Sequence, residues 1–197
     1  GSYVSLKVKI GDSYTSRPYS ICSSPKDAER GKLSVTIENY EEGFVAPYLY
    51  SNLKIGDHII SSSPTGTFHY DPLRDKSIVV ALAGGSGITP FLSMAYAIRD
   101  GYEDFDLLIL YGNRTEDTIL FKDELEEIAS ATPKVKVVHI LSDEKKEGYE
   151  YGFINSEIIK KYAPSEYSVF ACGPGNVYSF MKKDIKKLNL PDRLIRF

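Results

Sequence analysis

Residues 78–90 read Ile78-Val79-Val80-Ala81-Leu82-Ala83-Gly84-Gly85-Ser86-Gly87-Ile88-Thr89-Pro90, an apolar run that empties into glycines and leads into a second apolar segment. The lack of alternation from Ile78 to Leu82 predicts a strand covered on both faces, as in a parallel sheet flanked by helices. Gly84, Gly85 and Gly87 permit positive φ and the close approach of another backbone or a ligand. Thr89 and Pro90 predict a capping hydroxyl and a first-turn proline for a helix over 90–100. A helix N-terminus facing a glycine turn gathers free N–H groups at the positive end of the dipole, which makes the loop a candidate phosphate or pyrophosphate site. By themselves the glycines fit an ordinary tight turn equally well, so the decision lies in the rest of the chain.

Downstream, strand and helix patterns alternate. Strands are expected over 78–83, 106–111, 135–141, 167–171 and 193–197, and helices over 90–100, 118–130, 155–162 and 176–188. That rhythm builds a doubly wound, five-stranded parallel α/β sheet whose ligand belongs at the carboxyl ends of the strands, where the glycine loop falls. Upstream, the chain reads as short strands: Tyr3 to Val8, Ser20 to Cys22, Lys32 to Ile37, and His58 to Ile60 after the Gly56-Asp57 turn. Their spacing suits a small antiparallel barrel. Two domains follow, 1–72 and 77–197, with Leu73-Arg74-Asp75-Lys76 as the linker.

Composition narrows the function. A charged fraction of 26% and a net charge of −3 give no basic excess for nucleic acid or an anionic membrane. No apolar run approaches the roughly 18 residues of a membrane span, and no signal peptide is evident. Two cysteines, Cys22 and Cys172, build neither a disulfide framework nor a metal site, and a cytoplasmic setting is expected. Trp is absent, whereas Tyr occurs 15 times.

Arg17-Pro18-Tyr19-Ser20 places a guanidinium, an aromatic ring and a hydroxyl within four residues. On a strand, Arg17 and Tyr19 share one face, so one edge could hold a pyrophosphate and a flat ring together. An exposed Arg beside a Tyr is the plainer reading of that motif alone.

Taken in order, Arg17-Pro18-Tyr19-Ser20, Gly43-Phe44-Val45-Ala46-Pro47-Tyr48-Leu49, Gly56-Asp57, Pro64-Thr65-Gly66-Thr67-Phe68, the glycine loop, Tyr111-Gly112-Asn113-Arg114 and Cys172-Gly173-Pro174 resemble the ferredoxin-NADP reductase family over nearly the whole chain. The resemblance implies an FAD-binding antiparallel barrel followed by an NAD(P)-binding domain. It implies that Arg17 binds the FAD pyrophosphate, that Tyr19, next to Pro18, packs on the isoalloxazine, and that the Ser20 hydroxyl bonds near the flavin N5. Gly43, Phe44, Val45 and Ala46 would approach the FAD phosphate. Gly84, Gly85, Ser86, Gly87, Thr89 and Pro90 would receive the pyrophosphate of NADPH or NADH. Asn113 and Arg114 would lie by its adenosine, and Cys172, Gly173 and Pro174 beside the nicotinamide. Ser20 and Cys172 are thus the residues expected nearest the chemistry, with no metal.

Two departures stand out. The second motif of the family usually carries a Ser or Thr where this chain has Ala46, which removes one hydrogen bond of roughly 0.5–1.5 kcal/mol to FAD. Only 16 residues precede Arg17, so the barrel is expected to be N-terminally incomplete, with an open edge near Tyr3 to Val8 and a partner segment completing it. The expected function is a reductase that passes a hydride from NAD(P)H to FAD and then single electrons to an iron-sulfur protein or domain. The alternative is a non-catalytic electron-transfer or regulatory subunit that binds a nucleotide or a partner. Arg114 can read the 2′-phosphate of NADPH, or it can pair with Glu116 or Asp117.

Overall fold

A computed structural model of the chain describes residues 1–39 and 42–197. Two β units lie in sequence order. In the first, strands β1 (Tyr3–Ile10) and β2 (Ser13–Ser20) form an antiparallel hairpin, and β3 (Ile60–Ser61) pairs with β1 at Leu6 and Lys7. The order β2-β1-β3 puts β1 in the middle, so the expected open edge at Tyr3 to Val8 is corrected: among the described residues, the long free edge belongs to β2.

β1 alternates as its sequence predicts, with Val4, Leu6 and Val8 buried. β2 was not legible as a strand from its polar sequence, and Ser20 is its last residue rather than the first of a separate segment. Lys32 to Ile37 contributes only an isolated bridge from Val35 to Ile21. Two short helices were not expected, α1 (Pro25–Glu29) and α2 (Val45–Asn52). α2 lays Val45 and Leu49 against Val8.

The second unit is a parallel sheet of order β7-β6-β5-β4-β8-β9, comprising β4 (Ile78–Gly84), β5 (Asp106–Asn113), β6 (Val135–Leu141), β7 (Glu150–Tyr151), β8 (Ser168–Cys172) and β9 (Ile195–Arg196). Six strands replace the expected five, because two residues after β6 extend the sheet by one short edge strand. Helices α3 (Thr89–Arg99) and α4 (Lys122–Ala131) cover one face, and α5 (Ser156–Tyr162) and α6 (Gly175–Lys186) the other. α4 starts four residues later than expected, since 116–118 form a 3-10 turn and Phe121 takes φ 58°.

β4 explains its own sequence. Val79, Ala81 and Ala83 enter the core under α3 and α4, while Val80 and Leu82 enter the core under α5 and α6. From Val79 onward every side chain of the run is therefore removed from water, and alternation has no physical basis there.

The two units are fastened to each other. Phe68 lies between Phe91 and Phe170, with ring centroids 5.7 and 5.3 Å away. The Ser93 hydroxyl donates to the Ser23 carbonyl and the Ser24 hydroxyl to Asp100, each at 2.9 Å. The segment between the units is also anchored: Asp75 accepts two bonds from Arg196 of β9, and the Lys76 N–H donates to Ser168 of β8.

Candidate functional site

β4 delivers its chain to the glycine loop at the carboxyl edge of the sheet. Gly85 takes φ 51°, and a 3-10 turn over Gly85–Ile88 leads directly into α3. Pro90 occupies the first turn as expected, but Thr89 does not cap the helix. Its hydroxyl donates to the Ser86 carbonyl at 3.1 Å, because the preceding 3-10 turn already carries the chain into the helix.

The neighbouring strand β8 ends at Cys172, and Gly173-Pro174 turns the chain into α6. The loop and this turn interlock at Gly87. A Cβ there would lie inside the contact radius of the Cys172 carbonyl and 2.7 Å from the Gly173 Cα. Burial pushes the Cys172 thiol up from its ordinary value, which favours the neutral form over the thiolate.

β5 supplies the third wall. Tyr111 is fully buried, and its hydroxyl donates to the Gly85 carbonyl at 3.1 Å and accepts from the Leu120 N–H at 3.2 Å. The Asn113 amide nitrogen is buried with no hydrogen-bond partner among the described residues. Arg114 pairs with neither Glu116 nor Asp117. Its Nε donates to Asp143 of the loop after β6 at 2.9 Å, and the guanidinium side chain is 82% exposed. Glu116 is held by Lys146 and Tyr149, with Lys122 nearby, which brings its carboxyl down to about 2.

Between these walls lies a cavity of about 730 Å³. Gly84, Gly85, Ser86, Asn113, Arg114 and Pro174 line it, so the structure brings together most of the residues expected to hold a nicotinamide dinucleotide. Among the contributors that sequence reasoning missed are Phe153 and Phe180, whose rings lie 5.9 Å apart, and the segment 36–39 from the first unit. Nothing in local periodicity marks an exposed phenylalanine as a cavity wall.

The residues expected to hold a flavin lie on the first unit and do not line that cavity. Arg17 and Tyr19 project on the same face of the hairpin as Leu6 and Val4, their register partners. Tyr19 packs on Val4, Leu6 and Ile21 on one side and on the Val8–Val45–Leu49 cluster beneath α2 on the other. Burial raises the Tyr19 hydroxyl, with Arg17 opposing. The Arg17 guanidinium is exposed and, among the described residues, donates to Thr15 and to the Ser16 carbonyl of its own strand, at 3.0 and 2.8 Å. Ser20 is half-buried opposite Tyr3. The start of α2 carries no side-chain cap, since Phe44 and Ala46 offer no acceptor.

These features fit both groups. An unpartnered buried amide donor at Asn113 and a left-handed Gly85 whose Cβ position meets only open space suit a phosphate-bearing dinucleotide. A spare guanidinium, a ring and an uncapped helix start suit a second phosphate-linked planar cofactor. Among the described residues no helix is long and apolar enough to cross a membrane.

The family model for the oxidoreductase FAD-binding domain matches residues 1–70, and that for the oxidoreductase NAD-binding domain matches residues 81–183. The chain is 39% identical over 179 residues to NADH-cytochrome b5 reductase 1 of Dictyostelium discoideum, covering 88% of this chain and 61% of that one. It is 32% identical to NADH-cytochrome b5 reductase 1 of Mortierella alpina, covering 100% of this chain and 70% of that one. Among solved structures, the Amycolatopsis cytochrome P450 reductase GcoB superposes with a TM-score of 0.83 at 26% identity, over 100% of this chain and 59% of that one. The chain therefore spans less than two thirds of the length of the Dictyostelium relative. With the two domain models falling in order on the three-stranded and six-stranded units, the chain belongs to the ferredoxin-NADP reductase family, in which an FAD-binding domain precedes an NAD-binding domain.

Proposed function

We propose that the chain is the catalytic part of an NADH-dependent flavin reductase that takes a hydride from NADH onto FAD and passes electrons singly to a protein acceptor, with residues 1–72 and 77–197 as its two functional units. The observation that supports this best is the cavity at the ends of β4 and β5, where the glycine loop and the orphan Asn113 amide face segment 36–39 of the flavin unit. The relatives' names favour a haem protein of the cytochrome b5 type as acceptor over the iron-sulfur partner expected from sequence.

When bound, the two cofactors supply the hydride and single-electron chemistry. Arg17 would hold the FAD pyrophosphate, with backbone N–H groups of Gly43 to Ala46 beside it. Tyr19, fixed by packing beneath α2, would present its ring to the isoalloxazine, and Ser20 its hydroxyl near N5. Gly84 to Gly87, ahead of Thr89 and Pro90, would take the NADH pyrophosphate. Asn113 would donate to the adenosine half, and the Cys172-Gly173-Pro174 turn would border the nicotinamide. None of these side chains needs to move a proton.

The test is the visible spectrum of the purified protein, followed by anaerobic NADH addition. A flavin spectrum that bleaches on NADH is expected. Arg17→Ala removes a charge-assisted phosphate contact of roughly 1.5–3 kcal/mol, so FAD should dissociate about tenfold or more readily. A colourless protein that binds nucleotide without flavin would instead identify a non-catalytic subunit, and wild-type flavin retention in the variant would remove Arg17 from the site.

Coenzyme choice is read at Arg114. Its guanidinium is already paired with Asp143, and the Glu144 carboxylate, bonded to the Glu116 N–H, lies on the same loop, so a 2′-phosphate would have to compete with carboxylates for Arg114. NADH is therefore favoured over NADPH. Asp143→Asn frees the guanidinium and removes one repelling charge, and the ratio of kcat/KM for NADPH to that for NADH should rise about tenfold or more. Arg114→Ala in the same background should abolish the gain. A ratio unmoved by either change means that this pair does not read the 2′ position.

A further inference from the structure

We propose that Tyr111 is the positioning residue of the dinucleotide loop, its buried hydroxyl orienting the Gly85–Ser86 peptide so that the Ser86 N–H faces the cavity. The inference rests on the reading of this loop as a pyrophosphate site. Tyr111 lies inside the sheet, 0% exposed, and its hydroxyl is satisfied on both sides by the Gly85 carbonyl and the Leu120 N–H. Burial raises the phenol above its ordinary range, so it keeps the proton that it donates.

A trans peptide is planar, with its C=O and N–H directed to opposite edges. Anchoring the Gly85 carbonyl on Tyr111, within the core, turns the N–H of Ser86 away from the core. Gly85 and Ser86 both line the cavity. As the second residue of the 3-10 turn, Ser86 has no acceptor for its N–H within that turn. Glycine accepts either sign of φ, so residue 85 alone does not hold this peptide in one orientation. The hydroxyl does so from outside the loop. The same oxygen also receives Leu120, another cavity wall, so the loops after β4 and β5 share one anchor.

The experiment compares the flavin-loaded wild type with Tyr111→Phe, which keeps the ring and removes only the hydroxyl. ADP-ribose, which carries the pyrophosphate, and adenosine, which lacks it, are titrated by calorimetry. ADP-ribose should bind about five- to tenfold more weakly to the variant, the effect of one hydrogen bond, while adenosine is unchanged. In steady state the KM for NADH should rise with kcat unaltered. A variant that melts earlier but binds ADP-ribose normally, or that loses both ligands equally, overturns the proposal. In the unmodified protein, the Ser86 amide resonance should shift with ADP-ribose and not with adenosine, and an unmoved resonance also overturns it. A wild type that binds neither ligand refutes the pyrophosphate reading of the loop itself, and this inference with it.

Discussion

Asp75→Ala is expected to lower the unfolding free energy by about 3–5 kcal/mol, the range for removing one partner of a buried ion pair. Asp75 is fully buried in its side chain and Arg196 is 9% exposed. One guanidinium nitrogen reaches both carboxylate oxygens, at 2.6 and 2.5 Å, and Asp75 also accepts from the Asp71 N–H. With the carboxylate gone, the Arg196 charge is left above the Phe170 ring, 5.0 Å from its centroid, buried and without its partner. For a chain of this length the loss corresponds to a fall in Tm of about 6–20 °C. Thermal unfolding followed by circular dichroism measures it. The double variant Asp75→Ala/Arg196→Met should recover much of the loss, since removing both charges together also removes the uncompensated one. A single variant within about 1 kcal/mol of wild type would falsify the view that this pair fastens the segment between the units to β9.

That pair lies outside what the sequence discloses: residues 75 and 196 are 121 positions apart, and neither sits in a pattern that names the other. What was legible is what local physics controls. β4 could be read because a strand buried on both faces carries a continuous apolar signature, and β6 because Val and Ile recur through it around Lys136 and His139. β2 could not, because a polar edge strand flanked by solvent has no apolar period to show. α2 was hidden by its length of eight residues and by Pro47 in its first turn. β7 consists of two residues whose strand character comes only from pairing with Ile140 and Leu141. At the candidate site the glycine loop and the Cys-Gly-Pro turn announced themselves through residue types that backbone geometry demands. For Arg114 the sequence offered the 2′-phosphate of NADPH or, as the alternative, Glu116 or Asp117 of its own turn, whereas tertiary structure supplied Asp143 from the next strand's loop. Tyr111 read as the end of an apolar strand and the head of the Tyr-Gly-Asn-Arg motif, with no role of its own. Its function as an anchor depends on where its hydroxyl ends, which a hydrophobic pattern does not record.

The strongest effect on dinucleotide binding is expected from Gly87→Ala, and the contrast with Gly85→Ala shows why. At Gly87 an added methyl meets backbone: the Cys172 carbonyl, and the Gly173 Cα at 2.7 Å. Neither can rotate away as a side chain would, so the glycine loop or the Cys-Gly-Pro turn must move, at a cost of about 1–3 kcal/mol in stability. A displacement of that size also misplaces the N–H groups on which phosphate binding depends, and several hydrogen bonds weaken together. Affinity for NADH should fall about 100-fold or more. At Gly85 the added methyl meets open space but must sit at φ 51°, which costs about 1–2 kcal/mol in strain and leaves the turn beside β8 in place. Gly85→Ala should therefore destabilise the fold to a similar degree while weakening NADH binding less. Flavin content, read from the visible spectrum, should be retained in both, because Arg17, Tyr19 and Ser20 lie on the three-stranded sheet. Titration of each variant with NADH, alongside its melting curve, separates the two glycines. Wild-type affinity in Gly87→Ala would mean that the loop has room the interlocked backbones do not show, and would remove that contact from the account of the site.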